Sequence, residues 1–182
     1  MGKIKRYYTA LFRLKRSKGY GIHSPFAFHF VLRVLREKSL YYSYEHIDKS
    51  RRVLFRIACY FVPQKVLLIG ENRQTLTAIH SYSQSCEIYT EYNEYIKNIG
   101  TSIQFIVVDS CDEKIQLIED IKSSINNEAV IVFYNINKNK SIKSLWNETI
   151  NAMQYGMTFT NYKTGIIVAL RHLPRHNYNL WL

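Results

Sequence analysis

At 182 residues, 47% apolar and 14% aromatic, the chain can bury a sizeable core, which excludes intrinsic disorder. Its net charge of +11 lies wholly in residues 1–56, where 14 of the 25 basic residues face three acids (Glu37, Glu45, Asp48), whereas residues 57–182 are balanced. Cys59, Cys86 and Cys111 form no CxxC pair, which argues against a disulfide frame or zinc site and for reduced thiols in the cytoplasm. No stretch approaches the roughly 20 apolar residues of a membrane span.

Ile4, Tyr7, Tyr8, Leu11 and Leu14 recur at helical spacing among lysines and arginines. The pattern predicts a basic amphipathic helix over 3–18, its Ile4, Tyr7, Leu11 and Leu14 face partly buried and Lys5, Arg13, Lys15 and Arg16 in water. Charge through these residues is unlike a signal peptide. Such a helix suits an anionic partner, either nucleic acid or a membrane surface, and equally a cationic face turned to solvent. Gly19-Tyr20-Gly21 breaks it. Ser24 then reads as an N-cap and Pro25 as the first helical residue, with Phe26, Phe30, Val31, Val34 and Leu35 as the buried stripe. Capping is favoured over a catalytic His23/Ser24 pair, for which the sequence suggests no third member. The tyrosines of 41–44 precede a helix through Arg51, Arg52, Phe55 and Tyr60 that ends near Pro63, and they fit a helix contact better than base stacking.

Val66 to Ile69 is an unbroken apolar run, as in a strand buried on both faces, and Gly70 follows it at once. A helix from Thr75, a strand over Glu87–Glu91, buried strands over Ile103–Val108 and Ala129–Phe133, and helices from Asp112 and Lys138 complete a βα series. Met157–Thr160 and Gly165–Leu170 form a hairpin across Asn161-Tyr162-Lys163. The expected fold is α/β, a Rossmann-like, mostly parallel sheet with an antiparallel edge hairpin. Residues 57–182 form this domain and residues 1–56 a basic helical region before it. Between Glu94 and Ile103 only a turn of helix and a loop are expected, too little for a further strand. Glu91, 21 residues beyond Gly70, stands where a ribose-binding acid belongs, and also where a strand end meets solvent. His172 and His176 flank Pro174, which spoils a helical metal pair, so they read as surface histidines.

Gly19-Tyr20-Gly21-Ile22-His23-Ser24-Pro25-Phe26, Tyr41-Tyr42, Tyr44-Glu45, Leu54-Phe55-Arg56, Val130–Phe133 and Gly165–Val168 together resemble a bacterial group of class I S-adenosylmethionine-dependent methyltransferase-like proteins. The resemblance implies a Rossmann-like fold, S-adenosylmethionine as cofactor, and Gly70, Glu71, Glu91 and Asp109 lining its site. It also shows departures: Leu68 replaces an acid before the glycine, Gln74 replaces a second glycine, and the segment that would cover the cofactor before Val53 is missing. Tyr134-Asn135 stands where catechol-type relatives carry metal ligands, so no metal is expected. The resemblance therefore implies a methyltransferase-family protein whose eroded site leaves it weakly active or inactive. The alternative is a non-catalytic module that uses its basic N-terminal third for an anionic partner.

Overall fold

The computed structural model describes residues 11, 13–37, 44, 46–110 and 115–181. Helix α1 (Pro25–His29) starts where Ser24 Oγ accepts from the Ala27 N–H at 3.3 Å, with proline in the first turn. It runs into a π-helical segment, Phe30–Leu35, that no sequence signal announced and that buries Phe30, Val31, Val34 and Leu35. Helix α2 (Arg52–Phe61) closes on Val62 in the left-handed conformation, just before Pro63. The βα series follows: β1 (Lys65–Ile69), α3 (Arg73–Tyr82), β2 (Glu87–Tyr89), α4 (Tyr92–Ile99), β3 (Gln104–Val108), α5 (Ile115–Asn126), β4 (Ala129–Phe133) and α6 (Lys140–Ala152). Strands β5 (Met157–Thr160), β6 (Gly165–Ala169) and β7 (His176–Asn179) end the chain.

The fold is α/β and Rossmann-like, with one sheet in the order β2-β1-β3-β4-β6-β5-β7. Strands β1 to β4 are parallel, and β6 is antiparallel to both β4 and β5, giving the expected hairpin at the β4 end of the parallel set. Beyond it, β7 runs parallel to β5 and carries the outer edge. The unbroken apolar runs are explained by cover on both faces. Val66, Leu68, Phe105, Val107, Val130 and Val132 pack with α1, the π-helical segment, α2 and α3, whereas Leu67, Ile106, Val108, Ile131 and Phe133 pack with α4, α5 and α6. Helix α2 crosses the 56/57 boundary, so the N-terminal region shares the core of the sheet domain.

Two expectations change. The link between β2 and β3 is a helix of eight residues, α4, rather than a single turn, because Tyr95 and Ile99 bury themselves on the sheet. No strand intervenes, and β3 lies directly beside β1. The N-terminal arm is helical over 13–17, and the rest of the predicted 3–18 helix, apart from the exposed Leu11 and the turn residue Lys18, lies outside the described residues. There the expected orientation holds at Lys15, which is exposed, and fails elsewhere: Leu11 and Leu14 are exposed, Ser17 is fully buried and Arg13 half-buried. The cause is a set of carbonyls. Arg13 Nε and Nη2 donate to Leu180 O at 3.1 and 2.9 Å, Nη2 also donates to Asn161 O, and the guanidinium lies over the Tyr162 and Trp181 rings. Ser17 Oγ accepts from Trp181 N at 2.6 Å.

Candidate functional site

Open α/β sheets bind ligands outside the carboxyl ends of their strands, where successive crossovers diverge to opposite faces. In this sheet that point lies between β1 and β3, since α3 leads to one side of β1 on one face and α4 returns on the other. Here the chain closes it. Asp109 N and Ser110 N both donate to Ile69 O, at 2.9 and 3.4 Å. Gly70 follows with φ +97°, and a Cβ on it would fall 2.6 Å from the Ser110 backbone nitrogen. Glycine is therefore required at this turn by the approach of the protein's own backbone.

Beneath the closed turn, Asp109 is buried and fully engaged. Arg51 Nη2 donates to its Oδ1 at 2.5 Å, and Thr75 Oγ1 donates to its Oδ2. Arg51 is positioned by the turn Asp48-Lys49-Ser50, in which Asp48 Oδ1 accepts from Ser50 N at 2.7 Å and Asp48 O from Arg51 N at 2.8 Å. The Ser50 side chain first, and its backbone N–H second, hydrogen-bond the Asp48 carboxyl and hold it below its ordinary value. Thr75 is fixed by the N-cap of α3, where Asn72 Oδ1 accepts from Gln74 N and Thr75 N. Arg51 Nε donates to Thr75 Oγ1 at 2.8 Å and Nη1 to Ser50 Oγ at 3.3 Å, so each guanidinium nitrogen has a partner. Its carbon lies 3.7 Å from the centre of the Tyr134 ring, a cation–π contact away from water.

Burial pushes the Asp109 carboxyl above its ordinary value, with the Thr75 hydroxyl and the Arg51 guanidinium pulling against it. The Tyr134 hydroxyl is raised chiefly by burial and has no hydrogen-bond partner among the described residues. Asn135, at φ +59°, donates from Nδ2 to Asp109 O at 3.4 Å.

Of the residues the sequence singled out, the fold brings Gly70 and Asp109 together at the ends of β1 and β3. Glu71 is exposed in the turn before Asn72, and Glu91 is exposed as the N-cap residue of α4, beyond β2. His23 is exposed ahead of α1. His172 is exposed, and so is His176, whose ring packs 4.4 Å from that of Tyr178 on β7. Arg51, Thr75 and Tyr134 went unread as a cluster, because they meet Asp109 from separate parts of the chain. Among the described residues, no group of three or more His, Cys, Asp or Glu could hold a metal ion. Nor is any helix there long and apolar enough to cross a membrane.

Above the cluster lies a crevice of about 500 Å³, bounded by the turn at 49–51, the start of α3, residues 134–138 and the β5–β6 turn. Its described lining carries Lys49, Lys138 and Lys163, several side-chain amides and no carboxylate, with Val53 and the Tyr134 ring as its apolar part. Compared with known protein families, curated proteins and solved structures, the chain matches none.

Proposed function

We propose that this protein is a methyltransferase-like domain of the class I type that no longer uses S-adenosylmethionine and serves the cytoplasm as a non-catalytic binding module. The single observation carrying this reading is the engagement of Asp109: both carboxylate oxygens are taken by Arg51 and Thr75. In the related enzymes, by resemblance, this acid and the glycine after the first strand line the cofactor site. Here Gly70 faces Ser110 and Asp109 faces inward. Glu71 and Glu91 stay in solvent, so Glu91 is the remaining candidate for holding a ribose. One charge-assisted hydrogen bond contributes about 1.5–3 kcal/mol, whereas micromolar affinity needs about 8 kcal/mol. The unpaired Cys59 and Cys86 support the cytoplasmic part of the reading.

The basic N-terminal third is the weaker choice of binding surface. Arg13, Arg36 and Arg56 donate to the backbone carbonyls of Leu180, Ser17, Val34 and Leu35, and Arg51 is held by Asp109. Four of the fourteen basic residues there are thus committed within the fold. Equilibrium dialysis against labelled S-adenosylmethionine tests the proposal: the label should distribute equally across the membrane at micromolar concentrations. Saturable retention that is lost in Glu91→Ala would show a working cofactor site and overturn it.

A further inference from the structure

We infer that the crevice above the closed switch point binds a small phosphorylated molecule. Its volume of about 500 Å³ is that of a small-ligand site, and its open position at the carboxyl ends of the strands is where this architecture presents ligands. The inference goes beyond the non-catalytic reading and does not rest on it, since the groups concerned are not those that close the switch point.

The charge of the crevice comes from three separate elements. Lys49 belongs to the turn before α2, Lys138 stands just ahead of α6, and Lys163 sits in the β5–β6 turn. All three are exposed, and the described lining offers them no carboxylate. Gathering like charges on one concavity is unfavourable unless an anion sits among them. Arg51 also lines the crevice, but its three nitrogens are already engaged below, which leaves the lysines to read the ligand. Lysine acts as a mobile point charge and suits a phosphate's spread of oxygens. The turn that carries Lys163 is preset, because Asn161 Oδ1 accepts from Lys163 N at 3.0 Å and from Thr164 N at 2.7 Å. Gln74, in the first turn of α3, brings the positive end of that helix to the same space.

Pyrophosphate is the direct probe, since it carries the charge without a body that could misfit. Calorimetric titration of the full chain should give saturable one-site binding that weakens as salt rises. Lys138→Gln and Lys163→Gln should each weaken it by about tenfold, with thermal unfolding unchanged because both side chains are exposed. No saturable heat, or affinity unaltered in both variants, overturns the inference. So does a single-stranded oligonucleotide that binds more tightly than pyrophosphate through the same lysines, because the surface would then serve nucleic acid.

Discussion

Arg51 Nη2 donates to Asp109 Oδ1 at 2.5 Å, joining the turn that opens α2 to the end of β3 across 58 residues of chain. The pair is buried, with side chains 7% and 2% exposed, and the Tyr134 ring covers the guanidinium. A charge buried in this way is tolerable only while its partner stays in place. The acid that could face a ligand at the crevice is therefore committed to holding the N-terminal region on the sheet.

The Tyr134 ring and its hydroxyl have opposite effects. A buried hydroxyl without a partner costs about 1–3 kcal/mol, and Tyr134 has none among the described residues. Tyr134→Phe keeps an aromatic face under Arg51 and should leave stability unchanged or raise it by about 1 kcal/mol. Tyr134→Leu loses the face and should cost about 2 kcal/mol or more. Urea unfolding measures both. A Phe variant more than about 1 kcal/mol less stable than wild type would reveal a hydrogen bond to the hydroxyl.

Gly70→Ala separates backbone strain from collision. At φ +97° with Ser110 N 2.6 Å from the added carbon, the substitution should cost about 3 kcal/mol or more. Gly21→Ala shares a positive φ of +71° but meets nothing within 4 Å, so it should cost only the strain, about 1 kcal/mol. Equal losses measured by denaturant titration would show that the approach of Ser110 is unimportant.

Burial, aided by the charge of Glu87, pushes the Cys86 thiol from 9.0 to about 11. Between those values the folded chain keeps a proton that the unfolded chain has released. The thiol therefore stabilises the fold fully below pH 9, and that contribution is lost as pH rises towards 11. The stability difference between wild type and Cys86→Ala should shrink by about 2 kcal/mol across this window. Iodoacetamide should modify Cys86 slowly at pH 8. Parallel pH curves, or rapid alkylation of the folded protein, would contradict the assignment.

Sequence pattern revealed the scaffold wherever one physical cause acted locally. Burial on both faces makes Ala129–Phe133 and Val66–Ile69 continuous apolar runs, and the Ser24-Pro25 start of α1 is capping chemistry within four residues. Strand β7 escaped because His176–Asn179 has one buried residue, Tyr178, and takes its conformation from pairing with β5. The π-helical turn at Phe30–Leu35 answers to packing against the sheet, which no periodicity records. The N-terminal arm departs from its expected orientation at Leu11, Arg13 and Leu14 because Arg13 seeks the carbonyls of Asn161 and Leu180, far along the chain. At the site, Gly70 and Asp109 stood out from their places after strands, whereas Arg51, Thr75 and Tyr134 reach Asp109 only through the folded topology.

The central claim is that Arg51 and Asp109 act as one buried unit beneath the closed switch point, and a double-mutant cycle tests it most directly. Arg51→Met and Asp109→Asn should each cost about 3–5 kcal/mol in urea unfolding, because each leaves a buried partner uncompensated. The double variant should lose much less than the two combined, with a coupling of about 2 kcal/mol or more. Additive losses, with a coupling below about 0.5 kcal/mol, would contradict the claim and leave Asp109 free to serve a ligand.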